Sequence, residues 1–266
     1  MSVIRLDKLV QDQLHVSAEE ANGLIMAGRI WIGNVPADKP GMTVEDTTQL
    51  TLKEKARKFA SRSGYKLEKA LQFFRVSPKG MTVCDIGASN GGFTDCLLQN
   101  HAAHVFAVDV AYGILAWELR TDERVTVLER TNARNLTAEQ LDNTICDMVT
   151  CDVSFISLKK IFPAMDRVVK SDGECICLIK PQFEAPQKAL GKNGIIRDPS
   201  ILPALFKDLF DEAAKNHLYV SDLTVSPIHG TNGNVEYLVH LLRDQTLDSD
   251  RLNGLIEAVL TMQPDM

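Results

Sequence analysis

An aspartate standing directly before a run of glycines is where this chain first implies chemistry. The segment Val83-Cys84-Asp85-Ile86-Gly87-Ala88-Ser89-Asn90-Gly91-Gly92-Phe93 reads as a short buried strand, a glycine-rich turn and the first turn of a helix. Small residues let backbone N–H groups approach a ligand closely, and a helix N-terminus favours negative charge. The spacing Gly-Ala-Ser-Asn-Gly-Gly is neither the dinucleotide G-x-G-x-x-G nor a P-loop with its Lys-Ser/Thr ending. Asp85 argues further against a phosphate, because a carboxylate suits a cationic amino-acid ligand. The turn therefore favours S-adenosylmethionine, with Asp85 on its α-ammonium and Gly87, Ala88, Ser89, Gly91, Gly92 and Phe93 around it. A tight strand–helix turn without a ligand is the plainer alternative.

A second acid supports the cofactor. The apolar run from His104 to Val110 carries Asp109 about twenty residues after the glycines, where the carboxylate ending a second strand accepts ribose hydroxyls. Asp109 and Val110 are therefore expected at the nucleoside. Asn132, after a third apolar run, is a candidate for the adenine edge and equally a helix-start residue. Two more chemically capable residues end apolar runs: Asp152 closes 147–151 and Lys180 closes 175–179, with Pro181 stopping the strand there. Ligands of open α/β sheets bind beyond the carboxyl ends of the strands. A lysine ending a strand commonly snorkels to water, but here it would face the pocket assigned to the cofactor.

Positioning these groups takes a layered scaffold. Apolar runs at 81–86, 104–110, 125–128, 145–151 and 174–180 alternate with helical stretches such as Phe93–Gln99, Leu158–Val169 and Pro199–Asn216. Such alternation predicts a doubly wound, mostly parallel sheet covered on both faces. The runs Leu218–Val225 and Val235–Leu242 flank a short Gly/Asn loop and predict a closing antiparallel hairpin, and a terminal helix over Asp248–Met262 follows. The first fifty residues form a separate small unit. Leu6, Leu9, Val10 and Leu14 have helical spacing, Ser17 with Glu20 fits a capping box, and Gly28 stops a second helix. Short strands at Ile30–Ile32 and Gln49–Leu52 follow, with turns at Gly33-Asn34 and Pro40-Gly41.

The net charge of −6 is unevenly spread: residues 1–80 carry a net +4 and the remainder −10. Nine basic residues lie between Lys53 and Lys79 against two acids. This concentration makes Arg5, Lys8, Arg29, Lys55, Arg57, Lys58 and Arg62 candidates for phosphate contacts, although a charge run is often only a solvated face. The chain shows no spanning apolar run and no secretory signal, so a cytoplasmic location is expected, with reduced, buried cysteines. Cysteines and histidines show no metal-site spacing, and no metal is expected.

Five segments together carry a resemblance: Ser61-Arg62-Ser63-Gly64-Tyr65-Lys66-Leu67, the turn from Asp85 to Asp95, Cys151-Asp152-Val153-Ser154-Phe155-Ile156-Ser157, Ile179-Lys180-Pro181-Gln182-Phe183-Glu184, and Gly233-Asn234-Val235-Glu236-Tyr237. In these the chain resembles the TlyA-type branch of the FtsJ family of RNA 2′-O-methyltransferases, some of whose members are called haemolysins. The N-terminal unit resembles the αL RNA-binding domain first named for a ribosomal protein, through Arg5-Leu6-Asp7-Lys8, Met26-Ala27-Gly28-Arg29-Ile30 and Asp38-Lys39-Pro40-Gly41. The resemblance implies a Rossmann-like α/β methyltransferase domain over 63–266, a basic linker over 53–62 and a small α+β RNA-binding domain over 1–52. It places the family's Lys-Asp-Lys-Glu catalytic tetrad on Lys66, Asp152, Lys180 and Glu236. It further implies S-adenosylmethionine as cofactor and ribosomal RNA or a ribosomal subunit as partner, rather than DNA or a membrane. Arg57-Lys58-Phe59-Ala60 departs from the tryptophan-bearing linker tetrapeptide of some relatives. A cytolysin, or a non-catalytic RNA-binding protein that keeps the cofactor pocket, are the competing readings.

Overall fold

The computed structural model describes residues 3–26, 28–33, 35–37, 39–53, 58–230, 233–244 and 247–264. Lys55 and Arg57 of the expected phosphate-contacting set lie outside the described residues, as do Ala27, Asn34, Asp38, Thr231 and Asn232 of the expected turns and motifs.

The N-terminal unit comprises β1 (Val3–Arg5), α1 (Leu6–Leu14), α2 (Ala18–Met26), β2 (Ile30–Ile32), β3 (Val35–Pro36), β4 (Thr43–Glu45) and β5 (Leu50–Leu52). Leu6 and Val10 of α1 pack on Ala21 and Ile25 of α2 and on Ile30, closing a small core. The capping box forms as expected: the Glu20 N–H donates to Ser17 Oγ (3.2 Å) and the Ser17 N–H to Glu20 Oε2 (2.8 Å). Gly28, at φ 67°, ends α2, with the N–H groups of Gly28 and Arg29 turned back to the carbonyls of Ile25 and Leu24. β2 is the centre of an antiparallel sheet with β3 and β5. The pairing of β1 with β4 was not expected, since three-residue strands far apart in sequence give no period to read.

Inside the basic run lies an unexpected helix, α3 (Ser63–Phe74), which buries Gly64, Lys66, Leu67, Ala70 and Leu71. Phe59 is fully buried beside it, edge-on to Tyr65 at 5.2 Å, and rests on Gly64 where any Cβ would overlap its ring. The second unit's core therefore begins within the stretch expected to be linker, because its aromatic residue finds a glycine-floored seat on α3.

The second unit then runs β6 (Thr82–Ile86), α4 (Gly92–Gln99), β7 (His104–Val108), α5 (Trp117–Arg120), β8 (Val125–Leu128), β9 (Cys146–Cys151), α6 (Phe162–Val168), β10 (Val169–Ile179), α7 (Pro181–Glu184), α8 (Leu202–Lys215), β11 (Tyr219–Val225), β12 (Tyr237–Leu242) and α9 (Ser249–Thr261). The seven-stranded sheet has the order β11-β12-β10-β9-β6-β7-β8. Strands β6 to β10 pair in parallel, whereas β12 runs antiparallel to both β10 and β11. This is the doubly wound sheet with a closing hairpin that the sequence predicts. The expected helices at 158–169 and 199–216 each open with a 3₁₀ turn instead, and the α-helices proper begin where Pro163 and Pro203 occupy the first turn.

Period-two alternation splits the core between the two faces of the sheet. Val83, Met148, Ile176 and Leu238 meet Leu67, Leu71, Phe93 and Leu97 of α3 and α4. Cys84, Val149, Cys177 and Val239 meet Phe162, Met165, Phe206 and Ile256 of α6, α8 and α9. All six cysteines are free and buried. The two units touch through α5: Trp117 lies where a side chain at Gly23 of α2 would stand, and Arg29 comes within 3.9 Å of Glu118.

Candidate active site

The site forms where β6, β7, β9 and β10 end. Gly87 turns at φ 83°, and a Cβ there would stand 2.5 Å from the backbone oxygen of Asp152. The Asp152 N–H donates to the Ile86 carbonyl (2.9 Å), so the ends of β6 and β9 are locked together beneath the turn. Asp109 holds the other side. Its Oδ2 accepts the Ser89 N–H and its Oδ1 the Ala111 N–H, both at 2.8 Å. A carboxylate keeps further acceptor capacity for hydroxyls.

A cavity of about 620 Å³ opens there, lined by Gly87, Ser89, Asp109, Val110 and Asn132 of the expected set. It falls within the range of nucleoside-sized ligand sites. A second space of about 150 Å³ shares Gly87, Ser89, Asp152 and Ser154 with the first and adds Ala88, Phe93, Ser61, Ser63 and Lys180. The two are continuous around shared residues, one broad and one narrow. Residues fit S-adenosylmethionine on two counts: bare backbone at Gly87 lines both lobes, and the acid Asp109 faces the broad one.

Three expected cofactor residues are placed differently. Asp85 is fully buried below the turn, outside both lobes, and its carboxylate accepts the hydroxyls of Thr94 (2.6 Å) and Thr150 (2.9 Å). Burial pushes its pKa up to about 6, against the pull of those hydroxyls. It braces the turn and does not reach a ligand ammonium. Gly91 is a glycine because Leu119 and Leu115 occupy the place of a side chain, at a φ of 90°. Gly92 is one because the hydroxyls of Ser61 and Ser63 do the same.

The four tetrad residues assemble as two ion pairs. Lys180 Nζ lies 2.6 Å from Asp152 Oδ1 and donates to Ser154 Oγ at 2.8 Å, both charged side chains being about nine-tenths buried. Lys66 on α3 donates to Glu236 Oε2 at 2.5 Å, with the carboxylate only 3 % exposed. The register that opposes Ile179 to Tyr237 sets Lys180 and Glu236 one step further along the same two strands. Asp152 and Lys180 line the narrow lobe; Lys66 and Glu236 stand outside the lining.

Sequence reasoning gave no role to several lining residues, among them Ser61, Ser63, Ser154 and Phe155, although all four lie inside the segments that carry the resemblance. Phe155 is 91 % exposed at φ 63°, and its ring centroid is 5.2 Å from that of Phe183. A bulky residue in that backbone region is strained, and such strain clusters at functional sites.

The expected phosphate contacts divide. Arg5 is held by Asp7 through two hydrogen bonds (3.1 and 2.6 Å), and the pair keeps Asp7 below the ordinary carboxylate range. Lys58 is paired with Glu68, and Arg29 donates to the Lys53 carbonyl and approaches Glu118. Lys8 and Arg62 are exposed and form no ion pair among the described residues. Also among the described residues, no group of three or more His, Cys, Asp or Glu side chains could hold a metal, and no helix is long and apolar enough to cross a membrane.

Residues 59–243 match the family model of the FtsJ-like methyltransferases, and residues 4–50 match the S4 domain. The chain is 42 % identical over 253 residues to the 16S/23S rRNA (cytidine-2′-O)-methyltransferase TlyA of Mycobacterium tuberculosis, covering 95 % of this chain and 94 % of that one. It is 36 % identical to Hemolysin A of Brachyspira hyodysenteriae over 90 % of this chain and all of the other. A solved structure from Streptococcus thermophilus, provisionally named a hemolysin, superposes with a TM-score of 0.72 at 38 % identity, covering 97 % of this chain and 96 % of that one.

Proposed function

Because the chain belongs to the FtsJ-like methyltransferase family and carries an S4 domain, we propose that it methylates the 2′-hydroxyl of a ribose in ribosomal RNA, with S-adenosylmethionine as donor. When bound, the donor would supply an electrophilic methyl group on a sulfonium. The observation that carries this reading is the narrow lobe. Its lining brings the glycine turn and Lys180 together, and the amine is held by Asp152 and Ser154.

A ribose hydroxyl is a weak nucleophile and needs its proton removed as it attacks. Lys180 in its neutral form is the group positioned to accept that proton at Nζ, with Asp152 and Ser154 orienting the amine. Asp152 orients the amine and, through its backbone bond to Ile86, fixes it relative to the glycine turn. Lys66 and Glu236 neutralise each other in the adjoining strand gap and hold β12 against α3, so they position rather than touch. Gly87 and Ser89 bring backbone to the donor, Asp109 takes the ribose hydroxyls, Val110 flanks the base and Asn132 is its polar edge. Phe155, held outward beside the cavity, offers a face on which an RNA base can stack.

Residues 1–52 hold RNA, with Lys8 as an exposed cation there and Arg62 adding one beside α3, and the unit from Phe59 onward performs transfer. On this reading the protein works where ribosomes are, in the cytoplasm. The test is transfer of labelled methyl to ribosomal RNA from a strain lacking the protein, followed by mapping of 2′-O-methyl positions. One position gained with the protein supports the reading; no incorporation into any ribosomal RNA or subunit overturns it.

A further inference from the structure

The acidic body of this protein must meet a polyanion at its active site, and one segment beside the site has the opposite charge. After α7 the chain forms a compact strap, residues 185–198, closed by an antiparallel bridge between Leu190 and Ile196 and by the Gly191 N–H donating to the Ile195 carbonyl at 2.7 Å. Lys188, Lys192 and Arg197 are all exposed on it and make no ion pair among the described residues. The Arg197 stem crosses Gly191, where a Cβ would sit 3.2 Å from its Cγ.

The strap is tied to the loop that leads to Glu236. Asn234 is 7 % exposed, donates from Nδ2 to the Gly194 carbonyl at 3.0 Å and accepts the Ile196 N–H at 3.4 Å. Its own carbonyl takes the Gly230 N–H, and two residues on stands Glu236, the partner of Lys66. The two sides of the site are thereby distinguished. The donor cradle occupies the ends of β6, β7 and β9, and in-line displacement brings the nucleophile from the far side of the methyl. That leaves the end of β10 and the start of β12 for the substrate, and Asn234 ties the strap to the loop leading into β12.

We propose that the strap is a phosphate clamp for the RNA strand flanking the target nucleotide, with Lys188, Lys192 and Arg197 contacting backbone phosphates and Asn234 as the positioning residue that ties the clamp to the tetrad. This rests on the RNA reading above. It assigns the catalytic unit its own RNA contact, separate from residues 1–52.

The test compares wild type with the triple variant Lys188→Gln/Lys192→Gln/Arg197→Gln, a surface change that spares the core. The probe is a ribosomal RNA transcript, titrated at several salt concentrations, with donor binding and single-turnover transfer measured alongside. Each lost phosphate contact removes about 0.7–0.9 from the slope of log affinity against log salt. The slope should fall by about two in the triple variant, RNA affinity at low salt should drop about tenfold or more, and donor affinity should stay unchanged. Asn234→Ala should weaken RNA binding with less change in slope, because the cations remain but are no longer held. An unchanged slope and affinity in the triple variant overturns the clamp. So does weakened binding to an assembled subunit with naked RNA unaffected, which would point to a protein partner. If wild type binds the transcript without methylating any RNA, the functional reading falls and the clamp is still judged by the slope. If it binds no RNA at any salt, both fall.

Discussion

Replacing Lys180 separates catalysis from stability because the amine proposed as the base is also half of a buried ion pair. Its pair with Asp152 is about nine-tenths buried on both sides. Removing one partner of a buried pair costs about 3–5 kcal/mol, and the open narrow lobe, which admits water, argues for the lower end. Lys180→Ala should thus lose about 3 kcal/mol, a fall of about 6–12 °C in midpoint for a domain of this size. Loss of the base should separately slow transfer about a hundred- to ten-thousandfold, or about 2.7–5.4 kcal/mol of barrier. Two companions divide these effects. Lys180→Met with Asp152→Asn removes both charges, so the midpoint should recover while transfer stays lost. Lys180→Arg keeps the ion pair and the midpoint, but a guanidinium stays protonated and cannot accept the hydroxyl proton. The assays are thermal unfolding and single-turnover transfer of labelled methyl. Transfer within tenfold of wild type in Lys180→Arg or Lys180→Ala would refute proton acceptance by this residue and leave positioning alone to drive the reaction.

Asp109→Asn should weaken donor binding about tenfold or more in a calorimetric titration, since hydrogen bonds to a charged acceptor are each worth about 1.5–3 kcal/mol; unchanged affinity would remove Asp109 from the ribose. Asp85 holds its proton to about pH 6 when folded but only to about 3.9 when unfolded, so its stabilising contribution is complete below the lower value and vanishes as pH rises through the upper one. Asp85→Asn should therefore gain on wild type by up to about 3 kcal/mol between pH 4 and 7, and a difference in urea midpoints that stays flat over that range would refute it. Gly23→Ala should destabilise by about 1–3 kcal/mol through overlap with Trp117, and Trp117→Ala in the same chain should relieve it; additive effects in that double-mutant cycle would mean the two units do not interlock.

Local signals in the sequence proved legible where neighbours in the chain are neighbours in space. The capping box at Ser17–Glu20, the stop at Gly28, the strand–turn–helix around Gly87 and the closing hairpin all follow from spacing within a dozen residues, and the parallel strands from the alternation of apolar runs with helical stretches. Partners distant in sequence were not legible. Lys66 and Glu236 are 170 residues apart, and only the family resemblance placed them together. Asp85 looked like a ligand because its threonine partners, one nine residues and the other 65 away, could not be read. Gly91 and Gly92 looked like cradle residues, yet leucines of the 115–119 segment and serines before α3 explain them. The helix α3 hid in the basic run because its apolar face, Leu67, Ala70, Leu71 and the partly buried Tyr65 and Phe74, is interrupted by Lys66, Glu68 and Lys69.

The six buried thiols make the chain its own reporter of opening. Burial pushes the thiols of Cys84, Cys96, Cys146 and Cys175 upward, and a hydrogen bond with Cys151 together with burial does so for Cys177, so in the native state they are neither accessible nor ionised enough to react. They span β6, α4, β9 and β10, so an alkylating reagent added to the folded protein records the rate at which those elements come apart. Any ligand that closes the cradle slows that clock by mass action. Donor, product and RNA can therefore be ranked by the protection each confers, with no engineered label and no need for turnover. The same arrangement confines oxidative damage to chains that have not yet folded or have come undone.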